Sequence, residues 1–329
     1  MFHQRFDLVA FSESPLTDFI YEPIPASTDW IQGFKEWQLI DHEQQHIIQE
    51  LLANMEVGYE VVSGGQLSNT LYNMAYLSGK SLALGMATTI GKDHLGMRYA
   101  AELLSQHISL QYSHFDNAHT GVCLSLQLDN ASKIMLTRLA SMPNFSHLSK
   151  DDWHALLAST RYVWIEGYLW NKEKALLHDF LALAKDVQLE ENPDLRICTT
   201  LSAPFIAQQL DFAYIWEHFD GIAGNDEEFA ALAGQNIDEA ILYDMARPSQ
   251  TIVYTKGKKG ALLIHQQQKL EVLPIPIASH QIVDVTGAGD GFLAGVLCAL
   301  LQGEDIHAMG KKATEVAHAI LQIRGARLQ

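Results

Sequence analysis

The sequence predicts a single α/β domain over 1–329: a mostly parallel sheet covered by helices on both faces, with a small β-sheet over one end. Three observations predict it. Short apolar runs bounded by turn residues recur along the chain and read as buried strands. Helical patterns lie between them, the alternation of a parallel, doubly covered sheet. One stretch breaks the rhythm. "TGVCLSLQL" and "KIMLTRLA" flank the turn "DNAS" and alternate in polarity, as the arms of a hairpin do.

In chain order the strands are predicted at Phe6–Phe11, Ser81–Gly91, Arg161–Tyr168, Arg196–Ser202, Phe219–Gly224 and Thr251–Gly257. The predicted helices include His42–Met55, Lys172–Val187 and Asn225–Ala233, and an apolar helix follows Gly289. The segment after Phe11 joins the hairpin in the small sheet, which takes in about 12–40 and 112–142. Ligands of open α/β sheets bind at the carboxyl ends of the strands. A small sheet there would act as a lid that keeps water from the chemistry.

Composition narrows the function. The chain has 329 residues, 48% hydrophobic and 19% charged, ordinary for a globular domain with a large core. The net charge is −17 with no basic cluster, which argues against a general nucleic-acid or anionic-membrane partner. A single phosphate pocket is a local field and remains compatible. Cys123, Cys198 and Cys298 are isolated in apolar runs and read as reduced core residues of a cytoplasmic protein. The N-terminus has no long apolar signal-like run, and no stretch of about 18 or more apolar residues is long enough to span a membrane.

Three motif matches are weak. "HEQQH" (His42–His46) fits the zinc-protease pattern, but the apolar stripe Ile47, Ile48, Leu51, Leu52 and Met55 puts both histidines on the opposite, solvent-facing side. "SGKS" (Ser78–Ser81) has Met74 where a phosphate-binding P-loop needs glycine, so it reads as a helix-to-strand turn. "GAGDGF" has Phe292 in place of the third glycine of a dinucleotide fingerprint.

"DVTGAGDGFLAGVL" (Asp284–Leu297) is different. Gly287 and Gly289 let backbone approach a ligand, and Ala288 adds little bulk. Their N–H groups and the helix dipole would hold a phosphoryl group. Asp290 would then lie within reach of an attacking hydroxyl. A helix N-terminus is expected to lower the pKa of Asp290 and make it a weak base, which phosphoryl transfer tolerates because positioning dominates. The plainer reading makes Asp290 a cap for a buried helix.

The motif resembles the D-x-T-G-A-G-D signature of the ribokinase-like, or PfkB, carbohydrate and nucleoside kinases. "SGGQLSNT" (Ser63–Thr70), "GKDHLG" (Gly91–Gly96), "NDEE" (Asn225–Glu228) and "TKGKKGA" (Thr255–Ala261) resemble that family's further motifs, in order, over essentially the whole chain. "SPLTDF", "WQLIDHEQQ", "TGVC" and "EGYLW" resemble segments of its adenosine-kinase branch.

The resemblance implies a ribokinase-like three-layer α/β/α sandwich and transfer of phosphate from ATP to a hydroxyl of a nucleoside, or alternatively of a free sugar. It implies Asp290 as catalytic base and Gly287, Ala288 and Gly289 as the anion hole. Asp18, Gly64, Gly65 and Asn69 would hold sugar hydroxyls, which carboxylates and amides discriminate well. Asn225 and Glu228 would orient waters around Mg²⁺. Thr255 and Gly257 would flank ATP, and Arg138 would close over the phosphates from the hairpin. K⁺ would sit near Asp284 and Thr286, as in some relatives.

Each of these residues also has a plain structural reading. Asn225 and Glu228 form a capping pattern for a helix that Gly234 would end. Asp18 and Gly64–Gly65 suit turns, and Arg138 suits a surface. Tyr168 or Trp170 would stack on a base or simply pack. The branch usually has Asn where this chain has Ser14, a shorter group with different donors. An inactive binding protein with this fold is the main reading of another class. A monomer, or a homodimer with paired lids, fits the pattern.

Overall fold

The frame is set by the apolar runs. The structure is a computed structural model that describes residues 5–12, 16–24, 33–34, 37–40, 59–115, 119–128, 133–138, 148–172 and 174–329. Ser14, the expected helix 42–55 with its "HEQQH", and the "DNAS" turn lie outside the described residues.

The described strands are β1 (Phe6–Phe11), β2 (Leu16–Ile24), β3 (Trp37–Leu39), β4 (Tyr59–Gly64), β5 (Leu84–Gly91), β6 (Ser109–Phe115), β7 (Gly121–Leu128), β8 (Lys133–Arg138), β9 (Thr160–Ile165), β10 (Arg196–Thr200), β11 (Gly221–Asn225), β12 (Thr251–Thr255), β13 (Ala261–His265) and β14 (Gln268–Val272). The longer helices are α1 (Gln66–Leu77), α2 (His94–Ser105), α3 (Lys150–Ala158), α4 (Lys174–Glu190), α5 (Asp226–Ala233), α6 (Ala288–Leu301) and α7 (Ile306–Ile320).

The main sheet has nine strands in the order β14-β13-β12-β11-β10-β9-β1-β5-β6. From β6 to β12 neighbours pair in parallel, and β13 and β14 add antiparallel strands at one edge. All eight residues of β5 are buried, as a strand covered on both faces requires. One face packs against α3, α4 and α5 through Trp153, Phe180 and Phe229. The other packs against α1, α2, α6 and α7 through Met74, Tyr99, Leu293 and Met309. Each large side chain buried this fully contributes about 1.5–3 kcal/mol relative to exposure.

The second sheet has five strands, ordered β3-β8-β7-β2-β4. The expected hairpin is there: β7 and β8 pair antiparallel, with Val122 opposite Arg138. The early segment β2 runs parallel to β7 and antiparallel to β4. Val122, Leu124, Leu126 and Leu136 give this sheet a core of its own. Its strand β4 ends at Gly64 and leads straight into α1, so the small sheet and the main domain meet at the expected substrate residues.

The six expected strands of the main sheet all form, and "SGKS" is a turn between α1 and β5. Three more, β6, β13 and β14, join them. β14 has only one buried residue, so it lacks the apolar run that marks the others. Among the described residues no helix is long and apolar enough to cross a membrane. The three cysteines are buried, and none forms a disulfide among the described residues.

Candidate active site

The Gly287–Asp290 loop lies at the start of α6. Gly287 is its N-cap, with φ 73°, a left-handed conformation in which a side chain is strained. A Cβ there would also lie 2.0 Å from the Cβ of Ala326, so glycine is needed twice over. Its N-cap residue, a glycine, supplies no side-chain cap. At Gly289 a Cβ would meet nothing within 4 Å among the described residues, so this position opens onto free space. N–H groups of an uncapped first turn, with the helix dipole behind them, make an anion site.

Asp290 follows directly. Part of the residue is exposed, while its carboxyl group is enclosed by the chain. Asn69 Nδ2 donates to Asp290 Oδ2 at 2.9 Å. Burial pushes the Asp290 pKa up to about 7. The Asn69 hydrogen bond opposes this, the charge of Asp18 adds to it, and Arg327 opposes it. The expectation of a lowered pKa is therefore corrected: desolvation outweighs the helix N-terminus.

The small sheet supplies Asp18, on β2 opposite Val62 of β4 and Cys123 of β7. Asp18 is buried, and its carboxylate lies against Gly64, where a Cβ would fall 2.2 Å from Oδ2. Gly65, with φ 94°, turns the chain into α1. One helical turn on, Asn69 reaches Asp290. Asp18, Gly64, Gly65, Asn69 and Asp290 thus converge although up to 272 residues separate them in sequence (290 − 18 = 272).

On the other side of the loop, Asn225 caps α5. Its side chain accepts from Glu228 N, and Glu228 Oε2 accepts from Asn225 N, a complete capping box. Gly234 ends α5 in the left-handed conformation, as expected. Burial raises the Glu228 pKa to about 7; the Asn225 backbone N–H opposes this, and the charge of Asp290 adds to it. A buried acid that senses Asp290 is a chemically fitting neighbour for a cation. Among the described residues no group of three or more His, Cys, Asp or Glu is arranged to hold a metal. The oxygen donors of Asn225 and Glu228 are of the kind that suit Mg²⁺, which keeps most of its water ligands. Thr255 pairs with Asn225 across β11 and β12, and Gly257, with φ 54°, opens the turn into β13. Asp284 is buried and closes its loop: Oδ1 accepts from Thr286 N and Oγ1, and Oδ2 from Gly325 N.

Arg138 lies at the end of β8 and donates to Thr120 O at 3.3 Å. Burial lowers its pKa, while the charge of nearby Asp93 opposes that. Asp93, from "GKDHLG", is a latch: it accepts from Gly96 N, Thr120 N and Thr120 Oγ1. Trp170 is buried, edge-on to His178, Tyr214 and Phe219, which matches its plain packing reading. It also lines a cavity of about 390 Å³ with Lys174 and Ile206, on the α4 side of the sheet. Tyr168 faces Phe205 with ring centroids 6.3 Å apart and remains partly exposed.

Two contributors carry no sequence signal. Gln66 Oε1 accepts from Thr200 Oγ1 and Ser202 Oγ, each at 2.9 Å, which ties the head of α1 to the end of β10. Arg327, the third-last residue of the sequence, donates to Asn69 Oδ1 at 3.1 Å.

The family model for pfkB family carbohydrate kinases matches residues 38–329. The chain is 23% identical to the adenosine kinase of Dictyostelium discoideum over 278 residues, 79% of this chain and 77% of that protein. Its fold superposes on the adenosine kinase of Sinorhizobium meliloti with a TM-score of 0.81 at 19% identity, covering 98% and 96% of the two chains. A probable sugar kinase from Rhizobium etli gives the same TM-score of 0.81 at 21% identity, covering 98% and 95%.

Proposed function

The chain belongs to the pfkB family of carbohydrate kinases, ATP-using enzymes of the sugar and nucleoside class, and on that premise we propose that it phosphorylates a hydroxyl of an adenosine-like nucleoside, with Asp290 as the base. The observation that carries this reading is the meeting of Asp290 with the Asn69 amide beside an uncapped helix N-terminus, with Asp18 near enough to shift its pKa.

The substrate would lie under the small sheet, its sugar hydroxyls against Asp18, the Gly64–Gly65 backbone and Asn69. Asp290 takes the proton of the attacking hydroxyl. A carboxylate with a pKa near 7 is a stronger base than an ordinary one and is still largely ionised just above neutrality. The hydroxyl oxygen forms the new P–O bond as the bond to the leaving ADP oxygen breaks. The amides of Gly287, Ala288 and Gly289 hold the phosphoryl oxygens as their charge shifts. Bound Mg²⁺ would supply further neutralisation of phosphate charge, with Asn225 and Glu228 orienting its waters. Thr255 and Gly257 would flank the nucleotide, Arg138 would approach the phosphates from the small sheet, and Asp284 and Thr286 would hold K⁺. The purine of the nucleoside would stack on Tyr168, which is partly exposed beside Phe205. That adenosine kinases recur among the similar proteins supports a nucleoside over a free sugar.

The test is ADP release from ATP with magnesium, with and without adenosine, and with K⁺ exchanged for Na⁺. Strong adenosine-dependent release supports the reading. Release stimulated by ribose or fructose and not by any nucleoside would replace it with a sugar kinase. A protein that binds adenosine and ATP without turnover would be the inactive relative.

A further inference from the structure

We propose that Arg327 is a positioning residue for phosphoryl transfer: it fixes the orientation of the Asn69 amide and, through it, the Asp290 carboxylate. The inference rests on the reading of Asp290 as the base and adds a residue to it.

Arginine has only donors. Arg327 Nε points at Asn69 Oδ1, 3.1 Å away, so the amide must offer its oxygen to Arg327 and its NH₂ to Asp290. With the amide turned over, two donors would face each other and the carboxylate would meet an acceptor. The guanidinium is itself held on every nitrogen. Nη1 donates to Glu102 Oε2 at 3.1 Å, and Nη2 to Ser68 Oγ at 2.6 Å and Gly64 O at 3.4 Å. Its plane lies over Tyr72, 4.9 Å from the ring centroid. Only 11% of its side chain is exposed.

The segment carrying Arg327 is pinned at both neighbours. Asn73 Nδ2 donates to Ala326 O, and Leu328 N donates back to Asn73 Oδ1. Ala326 packs against Gly287, and Gly325 N reaches Asp284. One short stretch of chain therefore braces the phosphate loop and the substrate residues Gly64 and Asn69 together. A displacement of about 1 Å at such a site costs on the order of a hundred-fold in rate.

The groups that face Asp290 are Asp18 from β2, Asn69 from α1, Glu228 from α5 and Arg327. Arg327 is the cation among them, so its removal raises the Asp290 titration midpoint as well as loosening the amide.

The experiment compares wild type, Arg327→Met and Arg327→Lys. It measures magnesium-ATP turnover with adenosine across about pH 5.5–9 and, with no acceptor present, the ¹³C titration of the Asp290 carboxyl, assigned by its loss in Asp290→Asn. Arg327→Met is expected to lower kcat by about ten- to a hundred-fold, with KM for ATP within about two-fold, and to move the Asp290 midpoint upward. Arg327→Lys keeps the charge without the fork, and is expected to keep the midpoint while recovering only part of kcat. A folded Arg327→Met with wild-type kcat and midpoint overturns the proposal. If Arg327→Met does not fold, an unchanged kcat in Arg327→Lys overturns it. If adenosine gives no turnover, the carboxyl titration alone decides. Full activity in Asp290→Asn sinks the base assignment instead; an inactive Asp290→Asn beside an indifferent Arg327→Met sinks only this inference.

Discussion

Asp93 is the N-cap of α2 and Asp290 lies in the first turn of α6, each within a glycine-flanked motif. Asp93 accepts three hydrogen bonds, from Gly96 N, Thr120 N and Thr120 Oγ1. Burial would raise its pKa, but those donors outweigh it and hold the carboxyl below its usual value. Asp290 receives the Asn69 amide, faces Asp18, and is pushed up to about 7. The two helix ends are alike in sequence. The depth of burial first, then the number of donors and the sign of the neighbouring charge, separate a structural carboxylate from a reactive one.

The largest contrast is expected on neutralising each group. Asp290→Asn should lower kcat by about 10²–10⁴-fold and yet raise the thermal midpoint at pH 8 by roughly 1–4 °C. A folded pKa raised above the unfolded value favours the protonated form. Its stability contribution is complete below the unfolded pKa, near 4, and is lost as pH rises towards 7. The gain in midpoint should therefore vanish near pH 4, as a pH series of thermal melts would show.

A second contrast lies within the loop. Gly287→Ala meets both a positive φ and the Ala326 Cβ, and should destabilise by about 1–3 kcal/mol with loss of turnover. Gly289→Ala meets open space, so it should fold normally and lose turnover alone, by intruding on the phosphate. Denaturant unfolding beside steady-state assays separates the two. Equal stability losses would mean that Gly287 is not braced by the chain segment at Ala326.

The smallest effect on turnover is expected at Asp93. Asp93→Ala removes the cap and the tie to Thr120, and should destabilise by about 0.5–2 kcal/mol with kcat within about three-fold. Its contribution has the opposite sign in pH: present above about 4 and lost on acidification. A large loss of kcat at unchanged stability would move Asp93 into the chemistry.

The parallel sheet was legible because strands such as β5 are buried on both faces and so read as continuous apolar runs. β14 was not, because its outer residues are polar and its place is set by pairing with β13. Asp290 and its glycines were legible because they are adjacent and bound to one loop geometry. The direction of the Asp290 pKa shift was not, since it depends on Asp18 and on burial created by distant elements. Arg327 was invisible for the same reason: an arginine near a chain end acquires meaning only when the fold sets it beside Asn69.

The most direct measurement is the pH dependence of kcat/KM for adenosine in the magnesium-ATP reaction, which reports groups of the enzyme before adenosine binds, taken on wild type and Asp290→Asn. The account predicts an acid limb near pH 7 in the wild type and turnover in Asp290→Asn too low to define one. A limb at the ordinary carboxylate value near 4, or an Asp290→Asn protein with wild-type turnover, would contradict it.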